Sequence, residues 1–196
     1  MRTPPAIRSA LWVWLIAALL AGRLQLLPRV PPAAVAGLLG GLVALLFLAY
    51  RAWPAVRTWA DGLELRLLVA LHATRLVGIY FIHLHQQGTL PQAFALTGGV
   101  RAVVVAVLAL AVALAPLAPA TRLRAIAIWN VVGLMDLLLV VITALRLGPA
   151  DPLTLRPLAA LPLSLLPTLL VPLLLATHLL IFARLQRTVP PAPAAR

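Results

Sequence analysis

Six stretches of about 20 mostly apolar residues, separated by short segments, constrain this chain more than any other feature of its sequence. They cover about residues 9–28, 32–50, 63–86, 99–118, 122–146 and 163–184. A helix of about 20 apolar residues crosses the hydrocarbon core of a bilayer. The sequence therefore predicts an all-α integral membrane bundle of six transmembrane helices, forming one domain over residues 1–187.

Composition excludes several other classes of protein. The chain is 63% hydrophobic and 10% charged, whereas soluble chains are roughly 45–50% apolar and about 25% charged. The absence of cysteine excludes a disulfide scaffold and a thiolate metal site. The net charge of +12 comes from arginines that lie singly or in pairs between apolar runs and form no basic face. We therefore expect a lipid bilayer as the partner of this chain and no nucleic acid.

The placement of the arginines predicts an orientation in the membrane. More of them flank the spans on the side that holds both termini than on the other side, which favours cytoplasmic termini in a bacterial inner membrane. The tryptophans Trp12 and Trp14 are interpreted as interface anchors. Residues 87–98 are predicted as a loop apolar enough to dip back into the membrane, and the Pro/Ala-rich residues 188–196 as a disordered tail.

Polar residues recur along the third span. His72, Arg75, Ile79, His83 and Gln86 follow one another at spacings of three and four, which on an α-helix gives a single stripe. Ionisable groups inside a membrane are costly and are candidates for function. We therefore predict that this stripe faces the bundle interior.

The fifth span carries a complementary set. Asn130, Gly133 and Asp136 step by three residues and share one face of a helix. Gly133 would let another helix approach closely. Because Asp136 and Arg75 lie at matching depths in spans of the same direction, we predict an ion pair between them.

The sixth span combines internal prolines with a histidine. Pro167 and Pro172 each remove one backbone hydrogen bond, and Ser164 and Thr168 can partly satisfy the freed carbonyls. His178 follows on the inner side. We predict that His178 is buried, hydrogen-bonded and within reach of the polar residues of spans 3 and 5.

Conventional catalytic patterns are absent from the sequence. It contains no glycine-rich phosphate loop, and Gly37, Gly40 and Gly41 are interpreted as helix-packing residues of an apolar span. Asp136 is the lone carboxylate deep in the membrane, because Glu64 lies at the end of its span, which leaves no pair for acid–base work. We expect no catalytic site and no metal site.

Four segments of the chain resemble a widespread group of uncharacterised bacterial multi-pass membrane proteins. They are HATRLVG at 72–78, GTLPQAFAL at 88–96, WNVVGLMD at 129–136 and LLPTLLVPLLLATH at 165–178. Members of that group tend to carry an acidic residue where this chain has Arg101 and Ala102. The resemblance implies that Arg75, Asn130, Asp136 and His178 form one unit, and it implies no activity.

Two classes of function remain open from the sequence. The first is a binding or transport module, or a helper subunit that contacts other membrane subunits or a second copy. Its polar cluster and cavity would lie between spans 3, 5 and 6, and no cofactor is expected. The alternative is a redox subunit that holds b-type haem or a quinone through His72 and His178, with Arg66 and Arg184 placed for haem propionates.

Overall fold

The structure, a computed structural model, describes residues 3–150 and 155–188. Within these ranges six helical segments are long and apolar enough to cross a membrane, as predicted, and no strand is present. They are Pro5–Arg23, Pro32–Ala52, Leu65–Gln86, Gln92–Leu114, Pro119–Gly148 and Leu166–Arg187. We refer to them as spans 1 to 6 in chain order.

Two of the spans depart from a continuous α-helix. A 3-10 segment, Leu71–Val77, interrupts span 3, and a π-helical turn, Leu166–Leu170, begins span 6. The α-helices are α1 (Pro5–Arg23), α2 (Pro32–Ala52), α3 (Pro54–Asp61), α4 (Leu65–Ala70), α5 (Gly78–Gln86), α6 (Gln92–Leu114), α7 (Pro119–Ala150) and α8 (Val171–Thr188).

Spans 3 to 6 form the core of the bundle. In each of them 33–39% of the residues in the most apolar window are buried, against 11% in span 1 and none in span 2. Successive spans alternate in direction, so span 1 begins and span 6 ends at the same end of the bundle, which we call the terminal side. The opposite end, the loop side, holds two packed 3-10 turns, Leu27–Arg29 and Arg156–Ala159.

Span 4 starts directly after Pro91, so the prediction of a loop over residues 87–98 is wrong for its second half. Pro91 has extended backbone, and a proline fits well just before a helix because its missing N–H is not needed there. The ring of Phe94 then packs 5.4 Å from that of Phe81. This burial stabilises the added helical turns, and it places Arg101 inside the span rather than at its edge.

Span 1 also lies earlier than predicted, at Pro5–Arg23 rather than 9–28. Gln25 adopts a φ of 52°, in the left-handed region that ends a helix. Its side-chain Nε2 donates a hydrogen bond of 3.2 Å to the carbonyl of Gly22. The chain therefore turns before the apolar residues that follow can extend α1.

The glycines of α2 do not pack as predicted. A Cβ atom added at Gly37, Gly40 or Gly41 would meet nothing within 4 Å among the described residues. No residue of α2 is buried. Within the described chain, this helix thus has an open small-residue face.

The predicted tail, residues 188–196, lies outside the described residues apart from Thr188, which ends α8. The organisation into one domain and a tail stays a prediction.

Candidate binding site

Four side chains on the terminal-side half of the core form what we call the histidine cluster: His72, Trp129, Asn130 and His178. The two histidine rings lie 4.3 Å apart, and the ring of Trp129 lies 4.8 Å from that of His72 and 5.5 Å from that of His178. All four residues are buried. The prediction that His178 is buried and within reach of His72 and Asn130 is confirmed.

The hydrogen bonds of the cluster fix which imidazole nitrogens carry protons. Asn130 Nδ2 donates to the carbonyl of His178 at 3.1 Å, so its Oδ1 accepts from His178 Nδ1 at 2.7 Å. Thr177 Oγ1 donates to the carbonyl of Leu174 and therefore accepts from His72 Nε2 at 3.0 Å. The second nitrogen of each ring has no hydrogen-bond partner among the described residues. This arrangement suits two neutral imidazoles.

The predicted ion pair between Arg75 and Asp136 is present at the centre of the core. Arg75 Nη2 bonds to Asp136 Oδ2, and Arg75 Nη1 donates to the carbonyl of Gly133 at 2.8 Å. A second arginine, Arg101, places its Nε 3.1 Å from the other carboxylate oxygen of Asp136. We call Arg75, Arg101 and Asp136 the charged cluster, in which two guanidinium groups face one carboxylate.

The sequence interpretation missed Arg101 because it placed this residue at the loop-side edge of span 4. With the helix starting after Pro91, Arg101 lies about 13 Å inside the span at 1.5 Å per residue. The sequence does indicate this earlier helix start, because Pro91 is typical of the residue before a helix and the apolar pattern already begins at Phe94. An arginine at that depth needs a partner, and Asp136 supplies one.

Gly133 joins the charged cluster to the histidine cluster. A Cβ atom at this position would lie 2.9 Å from His178 Cε1 and 3.3 Å from a methyl group of Val105. Only a glycine therefore lets the ring of His178 lie against α7. Because the carbonyl of Gly133 also accepts from Arg75, the close approach predicted here serves both clusters.

The prediction of one continuous polar stripe on span 3 is wrong. His72 and Arg75 are buried, whereas Ile79, His83 and Gln86 are exposed. The cause is the seven-residue 3-10 segment, which turns about 120° per residue instead of about 100°. Over seven residues the difference reaches about 140°, which rotates the later positions away from the core.

The buried positions of the 3-10 segment follow its own period of three. His72, Arg75 and Gly78 are buried in turn, and this spacing was visible in the sequence. Beyond the segment, the exposed His83 stacks on Tyr80 with ring centroids 6.2 Å apart. It belongs to the outer face of the bundle and not to the histidine cluster.

Pro172 leaves one carbonyl of span 6 without its usual hydrogen bond within the helix. Its missing N–H frees the carbonyl of Thr168, four residues earlier. Trp14 Nε1 donates a hydrogen bond of 2.8 Å to this carbonyl, so α1 is tied to the start of span 6. The interpretation of Trp14 as an interface anchor did not include this hydrogen bond. Trp12, which was interpreted in the same way, is 59% exposed.

Pro167 lies within the π-helical turn. It frees the carbonyl of Leu163, which accepts instead from the N–H of Leu166 at 2.9 Å. The hydroxyl of Thr168 donates to the carbonyl of Ser164 at 2.7 Å, which is neither of the carbonyls that the two prolines free, so the prediction that Ser164 and Thr168 satisfy those carbonyls is wrong. The hydroxyl oxygen of Ser164 itself has no partner among the described residues.

A cavity of about 560 Å³ occupies the loop-side half of the bundle between α2 and spans 3, 5 and 6. Arg75 borders it at mid-membrane, and the exposed Arg156 borders it near the loop side. No carboxylate among the described residues lines it, and its walls are otherwise almost entirely apolar. Representative wall residues are Val35, Leu39, Phe81, Leu137, Val141, Leu170 and Leu174.

This cavity differs from the predicted polar cavity between spans 3, 5 and 6. Within the described chain its lining includes Arg75 but none of Asn130, Asp136 and His178. The polar residues pack against one another in the terminal-side half, because each buried polar group needs a hydrogen-bond partner. The open volume lies among apolar side chains on the other side of Arg75.

The two histidines do not fit a haem iron in this arrangement. Axial ligation of one iron by both rings needs two Fe–N bonds of about 2 Å each with the porphyrin plane between the rings. Ring centroids only 4.3 Å apart leave no space for that plane. Among the described residues there is also no group of three or more side chains that could hold a metal ion.

Comparison with known proteins identifies a family without an assigned activity. Residues 32–186 match the family described as Domain of unknown function (DUF8737). The chain belongs to this family. The match begins at the first residue of α2, so it covers spans 2 to 5 and nearly all of span 6, and with them both clusters and most of the cavity. No curated protein and no solved structure matches the chain.

Proposed function

We propose that this protein is a membrane-embedded binding module for an apolar, lipid-like small molecule, of the kind a carrier or receptor would hold. The observation that carries the proposal is the cavity of about 560 Å³. Small-molecule sites enclose about 300–1,000 Å³ and are lined mostly by apolar side chains with a few fixed polar groups. Both features describe this cavity.

Arg75 supports the proposal as the fixed polar group. Its guanidinium is held by Asp136 and by the carbonyl of Gly133, and Gly133 in turn lies against His178. The two clusters thus orient one cation at the end of an apolar space. Rigid polar groups of this kind give a binding site its specificity.

Photolabelling tests the proposal in lipid nanodiscs. The probe is hexadecanol that carries a diazirine, and the readout is labelling of Phe81 and Leu137, which line the cavity but have only 3% and 4% of their surface exposed. We expect both residues to be labelled. Labelling confined to lipid-facing side chains would contradict the proposal.

A matched pair of variants on α7 controls for general effects of a bulky residue. Val141→Trp fills the cavity and should suppress labelling of Leu137. Val131→Trp makes the same change at a position that is 49% exposed and should leave the labelling intact. Equal labelling in the two variants would argue against a ligand in the cavity.

A second candidate function is that of a helper subunit, and the open face of α2 favours it. Gly37 and Gly41 are four residues apart on a helix with no buried residue, an arrangement that suits close packing of another membrane helix. The chain has no cysteine, so Gly37→Cys provides a unique cross-linking site. A cross-link at twice the monomer mass would indicate a second copy, and Ile79→Cys on the exposed side of span 3 is the control.

For the setting, we propose a bacterial inner membrane with both termini in the cytoplasm. The distribution of arginines along the sequence supports this orientation. Reporter fusions after Arg196 and in residues 147–160 should report opposite sides of the membrane. Reports from the same side would contradict the six-span topology.

A further inference from the structure

The polar groups at the cavity point to the chemistry of the ligand. We infer that the ligand carries an anionic oxyacid head, a carboxylate or a phosphate monoester, and that this head binds Arg75 while the apolar chain fills the cavity towards the loop side. The inference rests on the binding function proposed above. It assigns the binding of the head to Arg75 and gives the head a negative charge.

The first argument is the charge of the cluster. Two guanidinium groups, those of Arg75 and Arg101, face the single carboxylate of Asp136. Within the part of the chain that the structure describes, one positive charge of this cluster therefore has no counter-charge, and the neutral histidines beside it supply none. An uncompensated charge at this depth is unfavourable. An anionic head at Arg75 would complete the neutralisation.

The second argument is the geometry of Arg75. A guanidinium has five N–H groups in a fixed fork, and two of those of Arg75 bond to described residues, Gly133 and Asp136. Arg75 also lines the cavity, whereas Arg101 does not. Arg75 is thus the cation available to a molecule in the cavity. Guanidinium forks match the paired oxygens of carboxylates and phosphates.

The third argument is the distribution of charge and length along the cavity. Its charged lining residues within the described chain are both arginines, Arg75 and Arg156. A cationic ligand would find no counter-charge among these lining residues. By helical rise, the distance from the level of Asp136 to Gly148, near the loop side, is about 18 Å. This length suits an extended alkyl chain behind the head.

The test compares molecules that share one chain and differ in the head. Hexadecanoate, hexadecyl phosphate and hexadecanol compete with the photoreactive hexadecanol for labelling of Leu137, at a pH where the acids are ionised. A charge-assisted hydrogen bond favours the anions. We expect either anion to protect Leu137 at about 10- to 100-fold lower concentration than hexadecanol. The anion with the larger effect identifies the head.

A double variant assigns the head to Arg75. Arg75→Gln with Asp136→Asn removes both members of the ion pair without stranding either charge. It should abolish the preference for the anion and keep the binding of hexadecanol. Arg146→Gln removes an exposed charge that does not line the cavity and should preserve the preference.

Failure of the anionic head, of the role of Arg75 and of the binding function each gives a different result. Equal protection by hexadecanol and by the anions would overturn the anionic head and leave the binding module standing. A preference lost in Arg156→Gln but kept in the double variant would place the head at the loop side and overturn the role of Arg75. Absence of labelling at Leu137 in the unmodified protein would overturn the binding function itself.

Discussion

On the terminal side of Arg75, the rings of His72, Trp129 and His178 pack against one another, whereas on the loop side apolar side chains surround about 560 Å³ of open volume. The half that is rich in polar groups is the closed one. In a membrane, each buried polar group must find a partner inside the protein, so polar side chains draw helices together. Apolar side chains need no hydrogen-bond partner, so the helices that carry them can remain separated.

The apolar residues that line the binding cavity are therefore different from the polar residues that position Arg75. The polar residues that stand out in the sequence hold Arg75 in place, and the space for a ligand lies beside them. Variants in the two halves, at their boundary and outside them test the contrast, from the largest expected effect to the smallest.

The boundary between the two halves should be the most sensitive place in the molecule. Asp136→Asn removes the one carboxylate that faces the two arginines within the described residues, and we expect a loss of about 3–5 kcal/mol of unfolding free energy. Arg75→Gln should cost less, because Arg101 still faces Asp136 at 3.1 Å. Unfolding of the purified protein in bicelles, measured by steric trapping, gives both values.

The double variant of these two residues closes a thermodynamic cycle. It should cost less than the sum of the single losses, since no charge of the pair is left stranded. Additive losses would contradict the coupling. A larger loss in Arg75→Gln than in Asp136→Asn would contradict the role assigned to Arg101.

Substitution of glycine by alanine should have opposite effects on stability at Gly133, which is closely packed, and at Gly37, which lies on the open face of α2. Gly133→Ala forces a methyl group against His178 and Val105, and overpacking of this kind costs about 1–3 kcal/mol. Gly37→Ala has open space and should be neutral or slightly stabilising, since alanine favours a helix by up to about 1 kcal/mol over glycine. The same unfolding assay compares them, and a clear loss in Gly37→Ala would indicate that α2 packs against another helix.

A hydrogen bond between α1 and span 6 should contribute to the stability of the loop-side half. Trp14→Phe removes the donor to the carbonyl of Thr168, which should cost about 0.5–1.5 kcal/mol. Trp12→Phe, at an exposed position, is the matched control and should change the stability little. In a Pro172→Ala background the restored N–H can satisfy Thr168, so Trp14→Phe should cost less there; an unchanged cost would refute this account of the bond.

The smallest effect is expected outside both halves, at Asp61 on the terminal side. Partial burial alone would raise the pKa of Asp61, but hydrogen bonds from Tyr50 and Arg187 outweigh it and lower the pKa below its usual value. The stabilisation is therefore present above the unfolded-state pKa of about 4 and is lost as the pH falls through the lower folded pKa.

Because Arg187 is well exposed, this contribution should stay below about 1 kcal/mol. The difference in stability between the unmodified protein and Asp61→Asn, followed from neutral to acidic pH, measures it. A difference that grows on acidification would have the wrong sign.

Much of this molecule is determined by local sequence. Hydropathy is summed along the chain, so the apolar stretches predict the spans without knowledge of their neighbours. The depth of a residue follows from its position in a span, which is why the Arg75–Asp136 pair could be predicted. The cost of burying an imidazole alone in a membrane likewise predicts a hydrogen-bonded His178.

The remaining features depend on how helices meet, and only the tertiary structure decides them. The 3-10 segment changes the rotational phase of span 3, which separates His83 from His72 although an α-helical pattern aligns them. Burial of Phe94 against Phe81 sets where span 4 begins and so brings Arg101 to Asp136. The cavity is volume left between helices, and no residue encodes it alone, because packing sets the distance between walls while sequence sets only what faces them.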